Sequence, residues 1–154
     1  MRGPLAALCV CLALGACSKS APGIDDARLS DAVGAAIGDP ATCVILATKS
    51  GDVAWRYGTH MTCSRALPDC SQGGGTVTVE ALATLAAKGD ERAISCRSVP
   101  DGSRSVGWAT GPAPAAKGAT HEPLVYAAVM EGERALPGRE IKLRLENALA
   151  DAGL

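Results

Sequence analysis

Phenylalanine is absent from this chain of 154 residues, and aromatic side chains make up only 3% of it. With so few rings, the core is expected to be built from Ala, Val, Leu and Ile. Such a core is shallow and gains from covalent crosslinks. No strong excess of positive charge exists either, with 15 basic against 16 acidic side chains and a net charge of -1. Nothing in that balance attracts a phosphate backbone, so no nucleic-acid partner is expected. Catalytic signatures are equally scarce. There is no Gly-x-Ser-x-Gly elbow, no phosphate-binding loop and no dinucleotide fingerprint, and the run Gly73-Gly74-Gly75 lacks the Lys-Ser/Thr that a phosphate cradle needs. No cofactor is expected.

What the chain does hold in quantity is cysteine, seven in all. The first two, Cys9 and Cys11, fall in a segment with the layout of an export signal. Met1-Arg2 supplies a positive start, and Leu5 to Leu14 an apolar stretch that ends in small residues. That stretch is too short to span a bilayer. It ends in Leu14-Gly15-Ala16-Cys17, which resembles the lipobox of bacterial lipoproteins. The resemblance implies removal of residues 1–16, a diacylglyceryl group and an N-acyl chain on Cys17, and stable anchoring by several fatty chains. Ser18 after the cysteine implies the outer membrane, facing the periplasm. The competing reading is an ordinary cleaved signal and a chain released into the periplasm. Residues 17–24, small and with Pro22 and Gly23, form a tether, and residues 25–154 a single domain.

With the leader gone and Cys17 acylated, Cys43, Cys63, Cys70 and Cys96 remain. An even set of thiols in an exported, aromatic-poor domain is expected to form two disulfides. The rival reading takes His60, Cys63 and Cys70 as zinc ligands, but the spacing is not that of a CxxC knuckle and the compartment favours oxidation.

Periodicity sets the elements. Asp25 caps a first helix whose Leu29, Val33 and Ile37 recur every four residues until Gly38 and Pro40. Thr42 to Thr48 is a continuous apolar run suited to a central strand, turned by Ser50-Gly51-Asp52 into a partner strand over Val53 to Tyr57. Gly58 to Gly75 shows neither helical nor strand period and reads as a long crosslinked loop. Thr78 starts a helix through Lys88 with Val79, Leu82 and Leu85 inward. Arg92 to Arg97 and Arg104 to Thr110 flank a Pro100-Asp101-Gly102 turn, Gly111 to Thr120 is a small-residue loop, and Leu124 to Met130 is the last strand. Pro137 opens a final helix with Ile141, Leu145, Leu149 and Ala152 inward.

The order α-β-β-α-β-β-β-α predicts an α+β domain with one antiparallel five-stranded sheet. The order, together with Val44-Ile45-Leu46-Ala47-Thr48-Lys49-Ser50-Gly51-Asp52-Val53-Ala54-Trp55-Arg56-Tyr57-Gly58, resembles the roadblock, longin and profilin-like group and its first hairpin. That resemblance implies a sheet in which the strands, counted along the chain, lie in the order second, first, fifth, fourth, third. Cys43 and Cys96 would then lie roughly 14 Å apart, beyond reach of each other. The hairpin about Ser50-Gly51 sets Cys43 opposite Gly58, near Cys63. The pairing Cys43–Cys63 with Cys70–Cys96 is preferred on these grounds. Its rival, Cys63–Cys70 with Cys43–Cys96, requires another sheet order.

Candidate chemistry is thin. Lys49-Ser50-Gly51 is similar to the Lys-Thr/Ser-Gly triplet of penicillin-recognising serine hydrolases, which implies an alternative role on peptidoglycan, but no Ser-x-x-Lys occurs to supply a nucleophile. His60 and His121 are the only imidazoles, and Cys63-Ser64 is a nucleophilic pair only if Cys63 stays reduced. Trp55 and Trp108 lie on strands and read as packing residues before sugar platforms. The leading expectation is therefore an anchored envelope domain with a non-catalytic binding or structural role, whose partner would be an envelope protein or a cell-wall component. Its contact regions would be Gly58 to Gly75 and Gly111 to Thr120, with Trp55, Arg56, His60 and His121 as candidate binding residues.

Overall fold

A computed structural model describes residues 22–154. The leader and Cys17 lie outside the described residues. The elements run α1 (Asp26–Ile37), β1 (Thr42–Thr48), β2 (Val53–Tyr57), α2 (His60–Cys63), β3 (Leu67–Pro68), β4 (Thr76–Val77), α3 (Val79–Ala87), β5 (Arg92–Arg97), β6 (Ser105–Pro112), β7 (Leu124–Gly132) and α4 (Gly138–Asp151). Five strands form one antiparallel sheet in the order β2-β1-β7-β6-β5, the order that the group resemblance implies.

Each end of α1 follows from local chemistry. The Asp25 carboxylate accepts the Arg28 backbone N–H at 3.1 Å, and Gly38 closes the helix on the Gly34 carbonyl at 2.9 Å. Leu29, Val33 and Ile37 are buried along one stripe. Strand β1 is buried at all seven positions because both faces of the sheet are covered. Val44 and Leu46 point to the side of α1 and α4, while Cys43, Ile45 and Ala47 point to the side of α3. The period-2 geometry of a strand thus divides one apolar run between two cores. Of the sheet's aromatics, Trp55 and Tyr126 serve the first core and Trp108 the second.

Three corrections to the sequence reading concern the crosslinked segment and its flank. Residues 58–75 hold a one-turn helix, α2, whose N-cap Thr59 accepts the Thr62 N–H at 3.1 Å. They also hold β3, which pairs with β4 from Leu67↔Val77 to Pro68↔Thr76. Elements this short carry no readable period. Leu85 is 39% exposed, whereas Ala83 and Ala86 are buried beside Val79 and Leu82. The small alanines, not the larger leucine, are what the close approach of α3 to the sheet accepts. Strands β6 and β7 also run two residues further than the periodicity placed them, to Pro112 and Gly132.

Helix α4 meets the sheet at a pair of glycines. A Cβ on Gly107 would collide with the Leu136 carbonyl oxygen, and one on Gly138 with the backbone of Trp108 and Ile94. Gly107→Ala must push α4 off β6, so it is expected to cost about 2 kcal/mol, the scale of an overpacked core. A thermal melt followed by circular dichroism reads the loss. An unchanged midpoint would show that this contact gives way freely.

Candidate functional site

The two ends of the sheet differ in kind. One end gathers the start of β1, the ends of β5 and β7, the start of β6 and the crosslinked segment that follows Gly58. There, Cys43 is bonded to Cys63 and Cys70 to Cys96, with Cα separations of 5.3 and 5.4 Å. This is the preferred pairing of the sequence reading. Cys43 and Cys63 are fully buried, and Cys70 and Cys96 partly exposed. The Trp108 indole N–H donates to the Pro68 carbonyl at 2.7 Å, fastening the crosslinked segment over the sheet. Cystine sulfur is not a thiolate, so in this state neither Cys63 nor Cys70 is available as a zinc ligand or nucleophile. Among the described residues, no group of three or more His, Cys, Asp or Glu is placed to hold a metal.

The end of the apolar run of β7 carries a carboxylate, Glu131, whose side chain is only 1% exposed. Its Oε1 accepts from Ser98 Oγ at 2.7 Å and Arg104 Nε at 2.9 Å, and its Oε2 from Arg104 Nη2 at 2.6 Å and Arg65 Nη1 at 3.1 Å. Four acceptor positions are thereby filled, which is the capacity of a carboxylate. The Arg104 fork, foremost among these donors, holds Glu131 down to a pKa of about 2 against desolvation. A carboxylate so saturated takes no proton at neutral pH. It is a staple, joining the crosslinked segment through Arg65 to the β5–β6 turn through Ser98 and Arg104. Beside it lies a depression of about 360 Å³, lined among others by Asp39, Arg104, Glu133 and Arg134, whose acidic side chains offset the basic ones.

Of the candidate binding residues, the structure brings Arg56 and His60 together. Arg56 Nη2 meets Glu80 of α3 at 3.1 Å, and His60 Nδ1 lies 3.5 Å from the same Glu80 oxygen and 3.4 Å from Arg56 Nη1. A single ring nitrogen serves one of these at a time, accepting from Arg56 when Nδ1 bears no hydrogen or donating to Glu80 when it bears one. At 72% exposure, His60 is a solvated member of this cluster. Trp55 points to the opposite face of β2, is 3% exposed, and donates its indole N–H to Asp26. His121 stands at the other end of the sheet, its Nδ1 2.9 Å from the Glu122 carbonyl. Ser50 lies in the β1–β2 turn, bonded to Thr48 Oγ1 at 2.7 Å and donating to Asp52 at 2.9 Å; neither lysine nor histidine is among its partners.

Sequence reasoning missed Glu131, Arg65, Arg104 and Ser98. A charge at the end of an apolar strand reads as the point where the strand meets water, and only the fold reveals that two arginines and a serine cover it.

Fold and crosslinks together define a small α+β domain stapled by two disulfides. Comparison of the chain with protein-family models, curated proteins and solved structures returns no match.

Proposed function

We propose that this chain is an exported, lipid-anchored protein of the bacterial cell envelope, most consistent with the outer membrane on its periplasmic side, and that its domain is a non-catalytic binding module. The observation that carries this reading is how the cysteines divide. Cys43, Cys63, Cys70 and Cys96 pair off within the domain, which suits an oxidising compartment, and Cys17 in the lipobox-like sequence is the remaining thiol after Cys9 and Cys11 leave with the leader. The non-catalytic part is supported by the saturation of Glu131 and by the contacts of Ser50, which supply no nucleophile with a base of raised pKa. A partner, an envelope protein or cell-wall component, would meet the crosslinked end, where α2 and the residues after it present His60, Met61 and Arg65 to solvent.

Cells expressing the full chain and fed an alkyne fatty acid test the anchor. The wild-type chain is expected to carry the label and to sediment with membranes. Cys17→Ser is expected to lose both properties while keeping its fold. Absence of label on the wild-type chain contradicts the reading.

A further inference from the structure

We propose that a lipid surface is the partner of the sheet end opposite the crosslinks, residues 113–123 with the β1–β2 turn, so that the crosslinked end is held away from the membrane; this rests on the anchor at Cys17. The described chain arrives at that end. A Cβ on Gly23 would collide with Thr120 Oγ1 and lie 3.5 Å from the His121 backbone nitrogen, and Ile24 packs against the core beneath α1 and α4. From there α1 runs along the sheet, and its end at Ile37 is tied to the start of β1 by Thr42 Oγ1, which donates to the Ile37 carbonyl at 2.9 Å.

Strand register places everything else. Thr48 is opposite Leu124 and Pro112 opposite Val125 at the end where Gly23 sits, whereas Thr42 is opposite Met130 and Ser105 opposite Gly132 at the other. Between Cys17 and Gly23 the chain can span at most roughly 20 Å. Nine residues of β7 cover about 30 Å from one end of the sheet to the other. A tether shorter than the sheet excludes the upright inverted orientation, in which the crosslinked end meets the bilayer and the Gly23 end stands a full sheet length above it. Residues 113–120 (APAAKGAT) are small and carry Lys117; with Glu122 beside them and Lys49 and Asp52 in the β1–β2 turn, the surface holds two basic and two acidic side chains, so the anchor and not charge sets the orientation.

The test uses the full chain matured in lipoprotein-processing bacterial cells, with a photoreactive benzoylphenylalanine at Lys117 or at Met61. Both side chains are exposed, Met61 at 82%, so neither replacement disturbs the core. Irradiation is expected to yield several-fold more lipid adducts from position 117 than from position 61, with Cys17→Ser setting the background. Equal adducts, or more at 61, on a chain whose intact mass shows acylation overturn the orientation alone. An intact mass without acyl chains overturns the anchor and the orientation with it.

Discussion

Replacing Cys43, Cys63, Cys70 and Cys96 by alanine is expected to leave the domain unfolded at growth temperature. The crosslinks close segments with sequence separations of 20 and 26. Each restricts the unfolded chain enough to contribute about 3 kcal/mol. Together, at about 6 kcal/mol, they match the whole net stability of a domain at the lower end of the usual range of about 5 to 15 kcal/mol, where an aromatic-poor core places this one. The single-pair variants should fold, with reduced stability in a urea titration. They also differ in access. Cys43–Cys63 is fully buried, whereas Cys70–Cys96 lies partly exposed on the edge strand β5. A dilute dithiol should therefore open Cys70–Cys96 first, and alkylation followed by peptide mapping would find Cys70 and Cys96 modified before Cys43 and Cys63. Full stability in the four-alanine variant, or the reverse order of opening, would contradict this account.

Glu131→Ala is expected to cost about 3 kcal/mol, because it unties the crosslinked segment from the β5–β6 turn and strips two arginines of their shared acceptor. Glu131→Gln should cost less than alanine, since the amide keeps one acceptor oxygen but offers donors to guanidinium groups that cannot accept. The pH dependence has a definite sign. Glu131 titrates lower in the folded chain, about 2, than the ordinary carboxylate value of 4.5, so its contribution is complete above that ordinary value. It fades as the pH falls toward 2. Denaturant midpoints measured from pH 6 down to pH 2.5 should converge for wild type and Glu131→Ala. Parallel curves across that range would show that the carboxylate charge is not what holds the staple.

Much of this architecture is legible in the sequence. The stripe of Leu29, Val33 and Ile37, the seven-residue run of β1 and the Ser50-Gly51 turn are local signals, and local signals survive into the fold. The Cys43–Cys63 link was legible for a geometric reason: a hairpin turn fixes register, and register brings Cys43 to Gly58. Cys70–Cys96 followed from a sheet order supplied by resemblance rather than by periodicity. What stayed hidden is non-local or too short. Helix α2 is one turn long, β3 and β4 are two residues each, and Glu131 meets Arg65 across 66 positions of sequence. Of the candidate binding residues, Arg56 and His60 converge on Glu80, while Trp55 is packed in the core and His121 stands at the far end.

Intact-mass spectrometry of the mature protein, extracted from membranes without reductant, tests the central claim most directly. The predicted species begins at residue 17, carries a diacylglyceryl thioether and an N-acyl chain, and has lost the four hydrogens that two disulfides remove. A soluble species that retains Met1 and takes up an alkylating group at every cysteine without prior reduction would contradict it.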